Sequence, residues 1–137
     1  LTLGSTAPKV FRALVEATAF GSKAIVEQFR KEGVAIASVI ALGGIAKKSP
    51  FVMQVTADVL GMPIKVVASE QACALGAGMF AAVAAGVHRS VGEAQKRMGS
   101  GFDRVFKPSP RRAAHYRKAY TRYLALGAAL EPLLKAP

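Results

Sequence analysis

Charged and apolar positions separate onto two faces over the first quarter of the chain, with the 3.6-residue period of a helix. Thr6 is the predicted N-cap, Pro8 lies in the first turn where its missing N–H costs little, and Gly33 ends the helix. The charged face is expected to carry Lys9, Arg12, Glu16, Lys23, Glu27 and Arg30. The apolar face is expected to carry Phe11, Leu14, Thr18, Gly21, Ile25 and Phe29.

A continuous run of small and β-branched residues follows at 35–42, with the sequence AIASVIAL. A strand without polar alternation is typical of a parallel sheet, whose strands are buried on both faces. Gly43 and Gly44 interrupt the run, so we expect the strand to end in a turn there.

A second helix is predicted directly after this turn, because Ser49 is a good N-cap and Pro50 suits the first helical position. Gly61 ends the helix, and Pro63 opens a short apolar strand at 64–68. Further along we predict a small-residue helix at 71–86, a helix from Ser90 to Met98, an extended segment at 102–106 and a final helix from Ser109 to about Leu134.

The order helix, strand, helix, strand, helix predicts an α/β fold with short parallel strands packed with helices. Two strong strands are too few for a stable sheet. We therefore expect residues 1–137 to be part of a longer protein that supplies further strands.

The composition excludes several classes of protein. The chain has 137 residues, a formal net charge of +11 and 52% hydrophobic residues, which excludes a disordered basic tail. No apolar run is long enough to span a bilayer. Cys73 has no second cysteine to pair with, and its small apolar neighbours favour a core residue in a reducing compartment. Two distant histidines, His88 and His115, give no metal-ligand spacing.

The positive charge is concentrated at 89–137, where eleven basic and three acidic residues leave a net charge of +8. Such a segment could bind nucleic acid through residues 89–122. Tyr116, Tyr120 and Leu124 recur in it at helical spacing, which favours the solvated face of a packed helix instead.

Residues 39–58 carry the most informative chemistry: a buried strand, two glycines, Lys47 and Lys48, then a capped helix. Ligands of open α/β sheets bind outside the carboxyl ends of the strands, where glycine lets a base or phosphate approach the backbone. Lysines and a helix start favour an anion. The residues alone leave two interpretations open: a nucleotide site, or a strand–turn–helix corner with solvated lysines.

Five ordered blocks resemble the C-terminal domain of the FGGY carbohydrate kinases: AFGSKAIVE, GGIAKKSP, ADVLGMPI, SEQACALGAG and AAVAAGVH. The resemblance covers nearly the whole chain. It implies an actin-like, ribonuclease H-like domain that binds ATP, with the sugar site and the catalytic aspartate on an N-terminal domain absent from this chain.

The resemblance implies that Gly43 and Gly44 lie against the adenine or ribose of ATP, that Ile45 and Ala46 line the pocket, and that Lys47 and Lys48 border it. No catalytic residue and no metal ligand is implied within the chain. Gln54 and Asp58 also match family positions, although on a helix they could equally brace the fold.

The same resemblance implies the partners: ATP with Mg²⁺, and a small ketose bound mainly by the absent domain. Nucleic acid and membrane are not expected partners, a homodimer is compatible with the resemblance, and the expected location is cytoplasmic. The chain alone is expected to be inactive. Other members of the family, which act on different sugars or polyols, remain alternatives.

Overall fold

A three-stranded mixed sheet organises the chain in the computed structural model, which describes residues 2–134. Its strands are β1 (Val39–Ala41), β2 (Ile64–Val67) and β3 (Phe102–Phe106), in the order β1-β2-β3. β1 and β2 run parallel, which confirms the predicted pairing of the two apolar runs. β3 pairs antiparallel with β2, so the segment predicted to be extended at 102–106 is a third strand, whose direction was not predicted.

Six helices are present in residues 2–134: α1 (Ala7–Lys31), α2 (Gly44–Lys48), α3 (Pro50–Leu60), α4 (Ala72–Ala84), α5 (Val91–Met98) and α6 (Pro110–Leu134). The predicted N-caps are confirmed at Ser49 and Ser90, whose hydroxyls accept hydrogen bonds from the backbone N–H of Val52 at 3.4 Å and of Glu93 at 3.2 Å. Gly61 ends α3 in the left-handed conformation. The single-turn helix α2 was not predicted.

Two clusters of buried side chains form the core between the sheet and α1, α3 and α6. The first lies on β2 and the inner side of α3, and includes Ala57, Ile64 and Val66. The second lies where α1, α3 and α6 meet, with Ala19, Phe20, Val55, Val59, Tyr116 and Tyr120. The core therefore lies on the face of the sheet that α3 covers.

Helix α1 buries the face that the sequence predicted to be polar. Phe11, Leu14 and Ile25 of the predicted apolar face are 57%, 64% and 61% exposed, whereas Ala19 and Phe20 are buried. The prediction was wrong because α3 and α6 pack on the opposite side, where polar side chains of α1 find hydrogen-bonding partners. The described residues leave most of the apolar face of α1 exposed, although the Phe11 ring stacks on a phenylalanine ring of α3 with the ring centres 6.2 Å apart.

Polar contacts join α1 to the tyrosines of α6. The hydroxyl of Tyr116 donates to the Glu16 carboxylate at 2.9 Å and accepts from Arg12 at 3.3 Å. The Lys23 ammonium lies 5.2 Å from the centre of the Tyr120 ring. Tyr116 and Tyr120 are buried, which confirms the first part of the predicted α6 stripe, but Leu124, Leu130 and Leu134 further along are exposed.

Stability should therefore fall at high pH because of Tyr120. Its burial and the neighbouring Glu27 carboxylate raise the pKa of Tyr120 to about 12, while the unfolded tyrosine has a pKa of about 10. Between these values the unfolded state releases the proton first, so the folded state loses about 2 kcal/mol as pH rises from 10 to 12. Urea titrations of the chain and its Tyr120→Phe variant should diverge over this range, and parallel pH profiles would contradict the assignment.

Strand β1 is shorter and more exposed than predicted. Only residues 39–41 are in the strand, and Ile40 and Leu42 are each 54% exposed. The expectation of burial on both faces was wrong for this chain because β1 is the edge strand and α4 does not cover Ile40. Cys73 on α4 is also exposed, so its expected place in the core was wrong too.

Helix α4 is apolar on all sides, yet one side of it faces solvent, including Phe80 at 64% exposed. Small residues such as Ala74, Gly76 and Ala77 would allow this helix to lie close to the sheet. An added Cβ at Gly76 would meet nothing within 4 Å, so the close approach is not made there. No helix in residues 2–134 is long and apolar enough to cross a membrane.

Candidate functional site

The polar and glycine-rich segments after the strands meet at one edge of the sheet. Gly43 follows β1 and Ala68 follows β2, at the carboxyl ends of two parallel strands. β3 runs the opposite way, so its first residues, Phe102 and Asp103, come to the same edge. This is the edge at which open α/β sheets bind ligands.

Gly43 and Gly44 present bare backbone at this edge. Gly43 has φ 89° and ψ −179°, a conformation that only glycine adopts without strain. Gly44 begins α2 with a negative φ. A Cβ added at either position would meet no atom within 4 Å, so the space over the turn is open. The turn can therefore accept a flat group directly against its main chain.

Helix α2 directs its remaining side chains in two directions. Ala46 is buried in the core against α3 and β2 and anchors the helix, so the expectation that it lines the pocket was wrong. Ile45 is 66% exposed, and Lys48 is exposed as well. The structure thus brings Gly43, Gly44, Ile45 and Lys48 to one accessible surface, which we call the glycine-turn wall.

Lys47 has a different environment from its neighbour Lys48. Its ammonium donates a 2.6 Å hydrogen bond to the carbonyl oxygen of Ala68 and lies 3.5 Å from the Asp103 carboxylate. The Lys47 side chain is only 22% exposed. Two adjacent lysines that are indistinguishable in the sequence are therefore distinct in the structure.

The segments around these contacts are themselves linked by hydrogen bonds. The N–H of Ala68 donates to the carbonyl oxygen of Gly101 at 3.0 Å, and the N–H of Ser69 donates to the Ser100 hydroxyl at 3.1 Å. The segment after β2 and the segment before β3 thus form one hydrogen-bonded unit. Lys47 joins α2 to that unit.

Asp58 and Gln54 brace the fold, away from the glycine-turn wall. Asp58 is 1% exposed and its carboxylate accepts hydrogen bonds from the Ser109 N–H at 2.7 Å, from Gln54 at 3.1 Å and from the Arg112 guanidinium. Gln54 also donates to the carbonyl oxygen of Lys107 at 3.0 Å. These contacts fix α3 to the start of α6, so both side chains have a structural role.

A groove of about 330 Å³ lies on the other face of the sheet, between α4, α5 and the strands. It is mainly apolar, and its walls include Ile40, Leu75, Met79 and Phe102. This groove was not predicted from the sequence. The small residues of α4 could have indicated it, because short side chains leave space between this helix and the sheet.

No group of three histidine, cysteine or acidic side chains that could hold a metal ion occurs within the described part of the chain. The carboxylate of Asp103 lies near the glycine-turn wall and is paired with Lys47. The guanidinium of Arg104 lies 4.0 Å from the same carboxylate.

Comparison with known families defines the class of protein. Residues 1–85 match the model described as the FGGY family of carbohydrate kinases, C-terminal domain. The chain therefore belongs to the FGGY family of carbohydrate kinases. This confirms the family resemblance of the five sequence blocks.

Two ribulokinases are among the curated proteins most similar to this chain. The enzyme of Vibrio parahaemolyticus is 49% identical over 133 residues, which cover 97% of this chain and 24% of the relative. That of Halalkalibacterium halodurans is 46% identical over 129 residues, covering 91% of this chain and 23% of the relative. The chain spans about a quarter of the length of the curated relatives it matches.

The fold agrees with that of solved kinases. Xylulose kinase from Rhodospirillum rubrum superimposes with a TM-score of 0.84 at 27% identity, covering 99% of this chain and 27% of that structure. The three-stranded sheet and its helices are thus part of an actin-like, ribonuclease H-like domain, as predicted from the resemblance.

Proposed function

We propose that residues 1–137 are the nucleotide-binding part of the C-terminal domain of an ATP-dependent sugar kinase. The observation that carries the proposal is the bare backbone of Gly43 and Gly44 at the carboxyl end of β1, in a chain of a carbohydrate-kinase family. The adenine or ribose of ATP fits against this turn because no side chain intervenes.

Within this proposal the residues of the glycine-turn wall have separate roles. Gly43 and Gly44 lie against the nucleoside, and Ile45 supplies apolar contact at the rim of the pocket. Lys48 is exposed and carries a positive charge, which favours the ribose or phosphate side of the nucleotide. Phosphoryl transfer depends chiefly on positioning and electrostatic stabilisation, and the chain contributes positioning.

The acceptor in the proposal is the terminal hydroxyl of ribulose, which would receive the γ-phosphoryl group of ATP. Support comes from seven curated relatives named ribulokinase, which are 40–49% identical over at least nine-tenths of this chain. A xylulose or glycerol kinase is the alternative within the same family.

An N-terminal domain outside residues 1–137 is proposed to bind the sugar and to supply the aspartate base. Neither Asp58 nor Asp103 is placed for that role, since the first is buried in the brace and the second is paired with Lys47. Three apolar surfaces that the described residues leave largely exposed support a larger protein: the outer face of α1, one side of α4 and the open edge of β1.

Mg²⁺ is proposed to accompany ATP, as the family implies. Mg²⁺ that accompanies a nucleotide is held mainly by the phosphates, by water and by one or two carboxylates. No step of the reaction is assigned to a metal ligand within residues 2–134.

Assays of the full-length protein that carries this chain test the proposal. With ATP present, kcat/KM should be at least about tenfold higher for L-ribulose than for D-xylulose or glycerol. A preference for xylulose or glycerol would replace the proposed acceptor and keep the kinase class. Failure to consume ATP with all three would contradict the kinase proposal, and the 137-residue chain alone should show no turnover.

A further inference from the structure

Lys47 has the strongest unexplained contacts near the glycine-turn wall. Its 2.6 Å bond to the Ala68 carbonyl and its 3.5 Å approach to Asp103 direct the ammonium toward the sheet, with the side chain only 22% exposed. Lys48, one residue later, is exposed. The Lys47 ammonium has three N–H donors. The Ala68 carbonyl takes one of them and the Asp103 carboxylate offsets its charge, so Lys47 is a poorer phosphate ligand than the exposed Lys48.

We propose that Lys47 is a positioning residue that holds the glycine-turn wall in place through Ala68 and Asp103, and that it does not itself contact the nucleotide. This inference rests on the proposed function, because the wall is the proposed ATP surface. It differs from the role that the resemblance implied for Lys47.

The need for such a residue follows from the size of α2. A helix of five residues has too few internal hydrogen bonds to be stable alone. Ala46 anchors one side of it in the core, and Lys47 is its polar link to the segment after β2. That segment is in turn bonded to residues 100–101. Loss of Lys47 would therefore let the turn at Gly43 and Gly44 shift.

Substitutions at the two lysines should give opposite patterns across a series of ligands. In the full-length protein, Lys47→Met should weaken binding of adenosine, ADP and ATP by the same factor, about threefold to tenfold, since the wall itself moves. Lys48→Met should weaken ATP more than adenosine, because an exposed charge acts on the phosphates. A loss at Lys47→Met that is confined to ATP would overturn the proposal.

Charge reversal at Asp103 distinguishes positioning by Lys47 from direct attraction of phosphate, because the two predict opposite changes in ATP affinity. Asp103→Lys adds positive charge to the site, so simple attraction of phosphate predicts tighter ATP binding. Positioning predicts weaker binding of adenosine and ATP alike, because the new lysine repels Lys47 from its place. Tighter ATP binding in this variant would contradict the inference.

Hydrogen exchange separates failure of this inference from failure of the proposed function. Without nucleotide, Lys47→Met should speed amide exchange in α2 and at residues 68–69, and Lys48→Met should not. Unchanged exchange in Lys47→Met would overturn the positioning role whether or not the protein binds ATP. Faster exchange in Lys47→Met, together with no nucleotide binding by the unsubstituted protein, would support the link and contradict only the proposed function.

Discussion

Replacing Asp58 with alanine should lower the free energy of unfolding by about 2–3 kcal/mol. The change removes a buried carboxylate that accepts hydrogen bonds from Ser109, Gln54 and Arg112. A hydrogen bond to a charged group contributes about 1.5–3 kcal/mol. The three contributions do not add, because the substitution removes one carboxylate and with it the cost of burying its charge. The loss stays below the roughly 3–5 kcal/mol of a fully buried ion pair, because the Arg112 side chain is 52% exposed and can be rehydrated.

Urea unfolding measures this effect, with Asp103→Ala as the matched control. Asp103 is 43% exposed and forms surface ion pairs, so its loss should cost no more than about 1 kcal/mol. Arg112→Met should also destabilise, and the double variant with Asp58→Ala should cost less than the sum of the two, since both changes break one contact. Equal and small losses of unfolding free energy in Asp58→Ala and Asp103→Ala would contradict the structural role of Asp58.

Replacing Gly44 with valine should raise the apparent KM for ATP by more than about tenfold in the full-length kinase. A valine side chain there extends into the open space where we place the nucleoside. The KM for the sugar should change by less than about twofold, since the sugar binds elsewhere. The variant should remain folded, because φ is negative at Gly44 and the new Cβ meets no neighbour.

Gly43→Ala is the control for this experiment. Its backbone conformation suits glycine alone, so alanine should lower stability by about 1–3 kcal/mol. Thermal unfolding should therefore separate a folding defect at Gly43 from a binding defect at Gly44. A Gly44→Val enzyme with unchanged KM for ATP, or with equal losses for ATP and sugar, would contradict the placement of the nucleotide.

Local signals allowed both ends of α3 and the start of α5 to be predicted. Ser49 and Ser90 cap their helices through bonds that span three residues, and Gly61 ends α3 through its own backbone conformation. None of these contacts depends on the rest of the molecule. The same reasoning identified the turn at Gly43 and Gly44.

The buried faces could not be predicted in the same way. The buried face of α1 depends on tyrosines of α6 that lie about 100 residues away in the chain, and those tyrosines hydrogen-bond to its charged side. Strand β1 was expected to be covered on both faces because its residues are apolar, but burial also requires neighbours. Within the described residues, none covers Ile40 fully.

The distinct roles of the two lysines also needed the fold. Lys47 meets a carbonyl 21 residues away and a carboxylate 56 residues away. No spacing rule in the sequence distinguishes it from Lys48. The glycine pair was identifiable from the sequence because its chemistry lies in its own backbone.

Photolabelling of the full-length protein with an adenine-substituted azido-ATP tests the proposed nucleotide site most directly. We predict that the label, displaced by excess ATP, is found in the proteolytic peptide that contains Gly43, Gly44 and Ile45. Labelling that ATP displaces from α6 and not from residues 43–48 would contradict this placement.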